Sequence, residues 1–185
     1  RVTSVLFVGK EAKNLAPDIM YSFTKKKQIV NLLSILFVFF LDRISKFLII
    51  NFSQNNNQVD IDITQFLNLN LIWNEGIAFG LLSFDESYGY NFVTIIILCV
   101  IIILLMMLHK AKNLNRFALI LILGGALGNF FDRLYYSAVP DFIDFHFRGF
   151  HWFIFNVADI FITFGLICLI YVEIINKDTD HDEKL

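Results

Sequence analysis

The sequence predicts an all-α membrane protein with four transmembrane helices and a small extracytoplasmic β-element. Three observations carry that prediction. Of 185 residues, 57% are hydrophobic, only 17% are charged, and 22 are Phe, whereas soluble domains average roughly 45–50% apolar and about 25% charged residues. The apolar residues fall in long runs rather than being dispersed. Between the first two runs, a shorter stretch alternates apolar and polar residues. A net charge of −2 points away from a nucleic-acid partner.

A helix needs about 20 residues to cross the hydrocarbon core. Runs near 28–50, 91–108, 116–136 and 152–175 meet that length within a single membrane domain covering 25–185. Residues 1–24 are expected to be an N-terminal extension outside the fold. They begin with Arg rather than Met, lack a clear amphipathic period, and contain an apolar run, VLFV, too short for a signal-peptide core. Met20, followed by Lys25–Lys27 and an apolar span, reads as an ordinary membrane-protein start, so 1–19 are expected to be an upstream remnant.

The loops set the orientation. Lys25, Lys26 and Lys27 precede the first span, Lys110 and Lys112 separate the second from the third, and Lys177 follows the fourth. The connection 51–90 has no Lys or Arg, and 137–151 has only Arg148. Positive loops stay cytoplasmic, which places both termini inside and the two other connections outside. In the first outer connection, NFSQNNNQ (51–58) is expected to be a mobile loop. VDIDITQFLNLNLIW (59–73) has the period of two that marks strands.

Ionisable residues within membrane spans are rare and usually functional, because charge at the bilayer centre costs at least ~2.5–3.5 kcal/mol on insertion scales. This chain has Asp42, Arg43 and Lys46 in the first span, Asp132 and Arg133 in the third, and Asp159 in the fourth. Counting along each helix puts Asp42 and Asp132 roughly 22–24 Å from the inner edge, and Asp159 about 10 Å from the outer one. Asp141 and Asp144 lie in the second outer connection, so the acids converge on one outer layer.

Several of these residues have structural alternatives. Asp42 and Lys46, at i and i+4, either neutralise one another or belong to a site. Asp132 and Arg133 either anchor the helix at the interface or do the same. Gly124, Gly125 and Gly128 fit close helix packing. Cys99 and Cys168, inside apolar runs, read as small hydrophobes. His146 and His151 read as interfacial residues rather than metal ligands. Asn156 is a candidate helix cap that would leave Asp159 near the favourable helix end. Asp141, among Val, Phe and Ile, is expected to have a raised pKa.

Two close, partly desolvated carboxylates cannot easily both ionise, so one keeps a proton while the other activates water. Neither a Ser/His arrangement, an HExxH motif nor a phosphate-binding glycine loop competes with that chemistry. A proton-coupled transporter would need a relay across the whole bilayer, yet spans two and four carry no acid in their inner halves. A purely structural protein leaves the shared depth of the acids without a cause.

At these residues the chain resembles the lipoprotein signal peptidase (signal peptidase II) family of bacterial membrane aspartic peptidases. The matching blocks are DRISK (42–46), NEGIAFG (74–80), GGALGNFFDRL (124–134), VPDFIDF (139–145) and FNVAD (155–159). The resemblance implies removal of signal peptides from prolipoproteins, just before a diacylglyceryl-modified cysteine, at the outer face of the bacterial cytoplasmic membrane. It implies Asp141 and Asp159 as the catalytic dyad. Asp42, Lys46, Asn74, Gly125, Asn129, Asp132, Arg133, Asn156 and Ala158 are implied to bind substrate or organise the site. The partners implied are prolipoproteins and membrane lipids, with no cofactor or metal. Pro140 replaces the family's common valine, and NFSQNNNQ is longer and more polar than usual.

Overall fold

The computed structural model describes residues 2–56, 59–75, 86–147 and 150–182. The chain divides into two units, Arg1–Ser34 and Ile35–Leu185. The first is the leading part of helix α1 (Val2–Asn56); the second holds the remainder of α1 and every later element. These are β1 (Asp60–Thr64), β2 (Leu67–Asn74), α2 (Glu86–Lys110), α3 (Asn113–Tyr136), β3 (Val139–Phe147), β4 (Phe150–Phe155) and α4 (Val157–Asp182).

Among the described residues, three helical stretches are long and apolar enough to cross a membrane: Tyr90–Lys110, Asn113–Tyr136 and Val157–Asn176. Their packing follows from where bulk is missing. A β-carbon on Gly165 of α4 would meet the Ala118 carbonyl oxygen at 2.7 Å, so these two helices touch backbone to side-chain-free backbone. Ile35, Ile101, Leu108, Leu119, Ile120 and Leu123 form the buried helical core. Phe92, Met106, Phe164 and Ile167 instead face outward, as hydrocarbon-facing surfaces require. Cys99 is exposed and Cys168 half-buried, both as free thiols within helices.

The β-element is an antiparallel sheet of four strands in the order β1-β2-β3-β4. The alternating stretch 59–73 supplies β1 and β2, as its period predicts. The sheet is larger than expected because β3 and β4 join it. VPDFIDF is a strand, not a connecting loop. It pairs with β2 on one side and β4 on the other, and burial of both faces removes the alternation that marks half-exposed strands.

Two further expectations change. Residues 51–56 continue α1 as helix instead of forming a loop. The preceding turn is fixed where Ile49 and Ile50 pack with Val59 and Phe142 under the sheet, and each added helical residue gains a backbone bond. Residues 152–155, counted above with the fourth span, belong to β4. An apolar run alone does not separate strand from helix; the helix starts only after Asn156.

Gly165→Leu is expected to destabilise the protein by about 1–3 kcal/mol, the usual cost of overpacking a tight contact. Thermal unfolding in detergent measures this, and an unchanged midpoint would contradict the close α3–α4 approach.

Candidate active site

The site begins with a buried charge cluster. Asp42, Lys46 and Asp132 are buried almost completely, and Arg43 is mostly covered. Lys46 Nζ donates to Asp132 Oδ2 at 2.6 Å and lies 3.0 Å from the Asp42 carboxylate. Arg43 donates to both oxygens of Asp132, at 2.7 Å to Oδ2, and to Asp42 at 2.7 Å. Two acids and two bases thus neutralise one another across α1 and α3. In a low-dielectric interior, such charges persist only when paired and hydrogen-bonded. The Arg43 guanidinium also lies over the Phe131 ring, 5.1 Å from its centroid.

Glycine makes the cluster fit. A β-carbon on Gly128 would stand 2.5 Å from Asp42 Oδ2, and one on Gly125 would stand 2.5 Å from the Ala158 carbonyl oxygen. The first opening admits the Asp42 carboxylate against α3. The second admits the start of α4, whose Ala158 N–H donates to Asp42 Oδ1 at 2.9 Å. Asp42 therefore binds the positive end of α4 as well as its cationic partners.

Asn156 caps that helix. Its Oδ1 accepts from Asp159 N–H at 3.2 Å, while Asp159 Oδ2 accepts from Asn156 N–H at 3.1 Å. This reciprocal pair has the logic of a capping box. The capping expected of Asn156 is present, and it occupies only one oxygen of Asp159. The other, Oδ1, accepts from Asn129 Nδ2 at 2.8 Å. Asn129 Oδ1 in turn accepts from Lys46 Nζ at 2.8 Å, so one amide connects the charge cluster to Asp159.

Asp141 reaches the same place from β3. Asn156 Nδ2 donates to its Oδ1 at 2.6 Å, and Asn74 Nδ2 donates to its Oδ2 at 2.9 Å. Asn74 sits opposite Val139, diagonal to Asp141 across the β2–β3 register. Burial raises the Asp141 pKa above the ordinary carboxylate value, and the Asp159 charge adds to the rise. The Asn156 and Asn74 amides and the more distant Lys46 oppose it. One residue, Asn156, therefore holds both carboxylates, Asp141 through its side-chain amide and Asp159 through its backbone N–H.

The structure brings Asp42, Lys46, Asn74, Gly125, Asn129, Asp132, Asp141, Asn156, Ala158 and Asp159 together around this network. Arg133 plays a different part from the one its position suggests. It donates to the Asn129 carbonyl oxygen at 3.1 Å, while its own carbonyl accepts from Tyr90 Oη at 2.6 Å. Arg43 and Lys46, rather than Arg133, pair with Asp132. Arg43 was visible only as a charge within a span, because its partner lies 89 positions away. Of the NEGIAFG block, residues 76–80 lie outside the described residues. An apolar cleft of about 540 Å³, lined by Phe153, Phe155, Ile160, Thr163, Phe164 and Ile167, reaches Asp159.

Spanning helices, a small sheet and carboxylates gathered at their junction define a helical membrane protein with an acid-rich site. The chain belongs to the signal peptidase II family: residues 34–175 match the family described as "Signal peptidase (SPase) II". It is 53% identical over 159 residues to a lipoprotein signal peptidase of Pelagibacter ubique (strain HTCC1062), covering 86% of this chain and 96% of that one. A lipoprotein signal peptidase of Anaplasma marginale (strain Florida) is 38% identical, with 80% and 86% covered. A bacterial membrane enzyme structure solved by the in meso method at 2.3 Å resolution aligns with a TM-score of 0.63 and 31% identity. That alignment covers 82% of this chain and 90% of the other.

Replacing Lys46 by Met leaves Asp42 and Asp132 with one cation between them. Breaking a buried ion network in this way is expected to cost about 3–5 kcal/mol. Denaturation in detergent measures the loss, and a change below about 1 kcal/mol would place Lys46 outside the stabilising network.

Proposed function

We propose that Asp141 and Asp159 are the catalytic pair of this chain, and that Asn156 holds them in register. As a member of the signal peptidase II family, the chain is an aspartic membrane endopeptidase that removes signal peptides from prolipoproteins, and a bacterial inner-membrane protein. The observation that carries the dyad is the set of three Asn156 hydrogen bonds, one to Asp141 and two to Asp159.

The raised pKa of Asp141 makes it the acid and leaves Asp159 as the base. Asp159 takes a proton from water, and the water oxygen forms a bond to the scissile carbonyl carbon. Asp141 gives its proton to the carbonyl oxygen. Collapse of the tetrahedral intermediate breaks the C–N bond. The proton held by Asp159 passes to the leaving amine, and the carbonyl oxygen's proton returns to Asp141. No covalent enzyme intermediate forms. Both carboxylates accept only amide hydrogen bonds among the described contacts, an environment that lets either gain or release a proton without breaking an ion pair.

The scissile bond is placed just before a diacylglyceryl-modified cysteine. Its acyl chains remain in the bilayer, which keeps the reacting bond at the outer interface. The apolar cleft beside Asp159 supports approach of such a substrate from the lipid. The stretch near 28–50 is the fourth span of this reading. Its outward Phe37, Phe40, Ile44, Phe47 and Leu48 suit contact with hydrocarbon, and the lysine-bearing loops put both termini in the cytoplasm. Residues 25–185 form the peptidase domain and 1–24 an extension dispensable for cleavage. The remaining site residues, Asp42, Lys46, Asn74, Gly125, Asn129, Asp132, Arg133 and Ala158, position this pair.

Purified protein incubated with a diacylglyceryl-modified prolipoprotein is expected to yield the shortened product. Asp141→Asn and Asp159→Asn should each lower the rate by roughly 10²–10⁴-fold with membrane insertion intact. Near-normal cleavage by either variant would sink the dyad.

The pH profile tests the acid assignment separately. Activity requires protonated Asp141, so it falls as pH rises through the Asp141 pKa. The Asn74 amide stabilises the carboxylate and pulls that pKa down. Asn74→Ala is therefore expected to move the alkaline limb of kcat/KM to higher pH. A shift to lower pH would contradict the assignment.

A further inference from the structure

We propose that Asp144, His146 and His151 form a binding site for a divalent transition-metal ion of the zinc class on the β3–β4 hairpin. This site is separate from the proposed dyad and does not rest on the peptidase reading. The three residues each offer a ligand atom, and these atoms lie within 4.8 Å of one another. Their positions follow from the strand. Asp144 and His146 are two residues apart on β3, and His146 is the register partner of His151 on β4. Asp141 lies an odd number of positions from Asp144, so strand alternation directs the two carboxylates to opposite faces.

The hairpin is irregular at this point. The register shifts between Phe145 and His146, and the His146 N–H donates on the β2 side, to the Phe66 carbonyl oxygen at 3.0 Å. The shift brings the imidazoles together, with ring centroids 5.5 Å apart. Bulges characteristically re-aim side chains in this way.

Unsatisfied polar atoms at the cluster point to a ligand. Asp144 is only 1% exposed, and its Oδ2 lies 2.6 Å from His151 Nδ1. Among the described residues, its Oδ1 is buried with no hydrogen-bond partner, as are His146 Nδ1 and Asn68 Oδ1. Asn68 stands directly opposite Asp144 in the β2–β3 register. Leaving a buried acceptor unpartnered costs free energy, and here the orphaned atoms fall on neighbouring positions of two adjacent strands. An Asp144–His151 hydrogen bond alone satisfies one carboxylate oxygen and leaves the rest unexplained. A cation bound by the cluster supplies the missing partner for the acid and an imidazole nitrogen.

The donor set selects the ion class. Two imidazoles and one carboxylate suit zinc and its first-row neighbours, whereas magnesium and calcium favour all-oxygen sites. Tetrahedral zinc holds such ligands at about 2.0–2.2 Å, which places ligand atoms roughly 3.3 Å apart. The Asp144–His151 contact must open slightly and the rest of the cluster close. His151 has the freedom to do this, its side chain being 54% exposed. That exposure also leaves room for a water in the fourth position. The sequence presented the two histidines beside aromatic residues; folding adds the buried acid that turns the pair into a three-ligand set.

The test uses the full, untagged chain in detergent, stripped of metal and titrated with Co²⁺ as a spectroscopic substitute for Zn²⁺. One equivalent is expected to produce the visible d–d bands of a four-coordinate nitrogen and oxygen site, and Zn²⁺ should displace it. His151→Ala, a half-exposed position where folding is checked by circular dichroism, should weaken binding at least ~10-fold. Asp144→Asn should do the same. Absence of the bands, or binding left unchanged by His151→Ala, would overturn the proposal and leave an Asp–His hydrogen bond joining the strands.

Discussion

The rest of the site depends on one electrostatic requirement: the Asp42 and Asp132 carboxylates inside the helical bundle must be matched by Arg43 and Lys46. No water is available at such a position to solvate an unmatched charge. The requirement fixes more than two side chains. It sets the rotation of α1 about its axis, because Asp42, Arg43 and Lys46 must all face α3. It also sets the depth of α4, because the Ala158 N–H ends on Asp42. The α3 glycines are a consequence. With a side chain at Gly125 or Gly128, neither the carboxylate nor the helix end would fit.

On this base, polarity changes step by step toward the candidate dyad. Full charges lie deepest in the network. Asn129, a neutral amide, carries the link from Lys46 to Asp159, and Asn156 carries it on to Asp141. Among the described residues, the candidate acids thus have donors without having salt-bridge partners. That distinction matters chemically: a carboxylate locked to arginine resists protonation, whereas a partly desolvated one without an ion-pair partner accepts a proton more readily, even though its amide donors oppose this. Asp141 is the second case. The sheet contributes as well, since β3 delivers Asp141 and β2 delivers Asn74, making it part of the proposed site rather than a cover over it.

Much of this was legible in the sequence, and the missing parts share a cause. Long apolar runs marked α2, α3 and α4, and the alternation in VDIDIT marked β1. Acids within apolar runs marked residues that the network gathers, and FNVAD marked the cap. β3 escaped because burial on both faces erased its alternation. β4 escaped because HWFIF is indistinguishable by composition from the start of the following helix. Asn156 was the boundary, and its polarity in an oily run was the available signal. Pairings across the fold were the other gap. Arg43 with Asp132, and Asp144 with the two histidines, depend on helix rotation and hairpin register, which residue types alone do not specify.

On the proposed mechanism, Asp141, held by Asn156 beside Asp159, keeps a proton above the ordinary carboxylate range and uses it as an acid. Infrared difference spectroscopy of a pH titration measures this directly through the C=O stretch of a protonated carboxyl group. A carboxyl band is expected to persist above the normal aspartate pKa in the parent protein and to be missing from Asp141→Asn. The same band in both proteins, or complete ionisation within the ordinary carboxylate range, would contradict it.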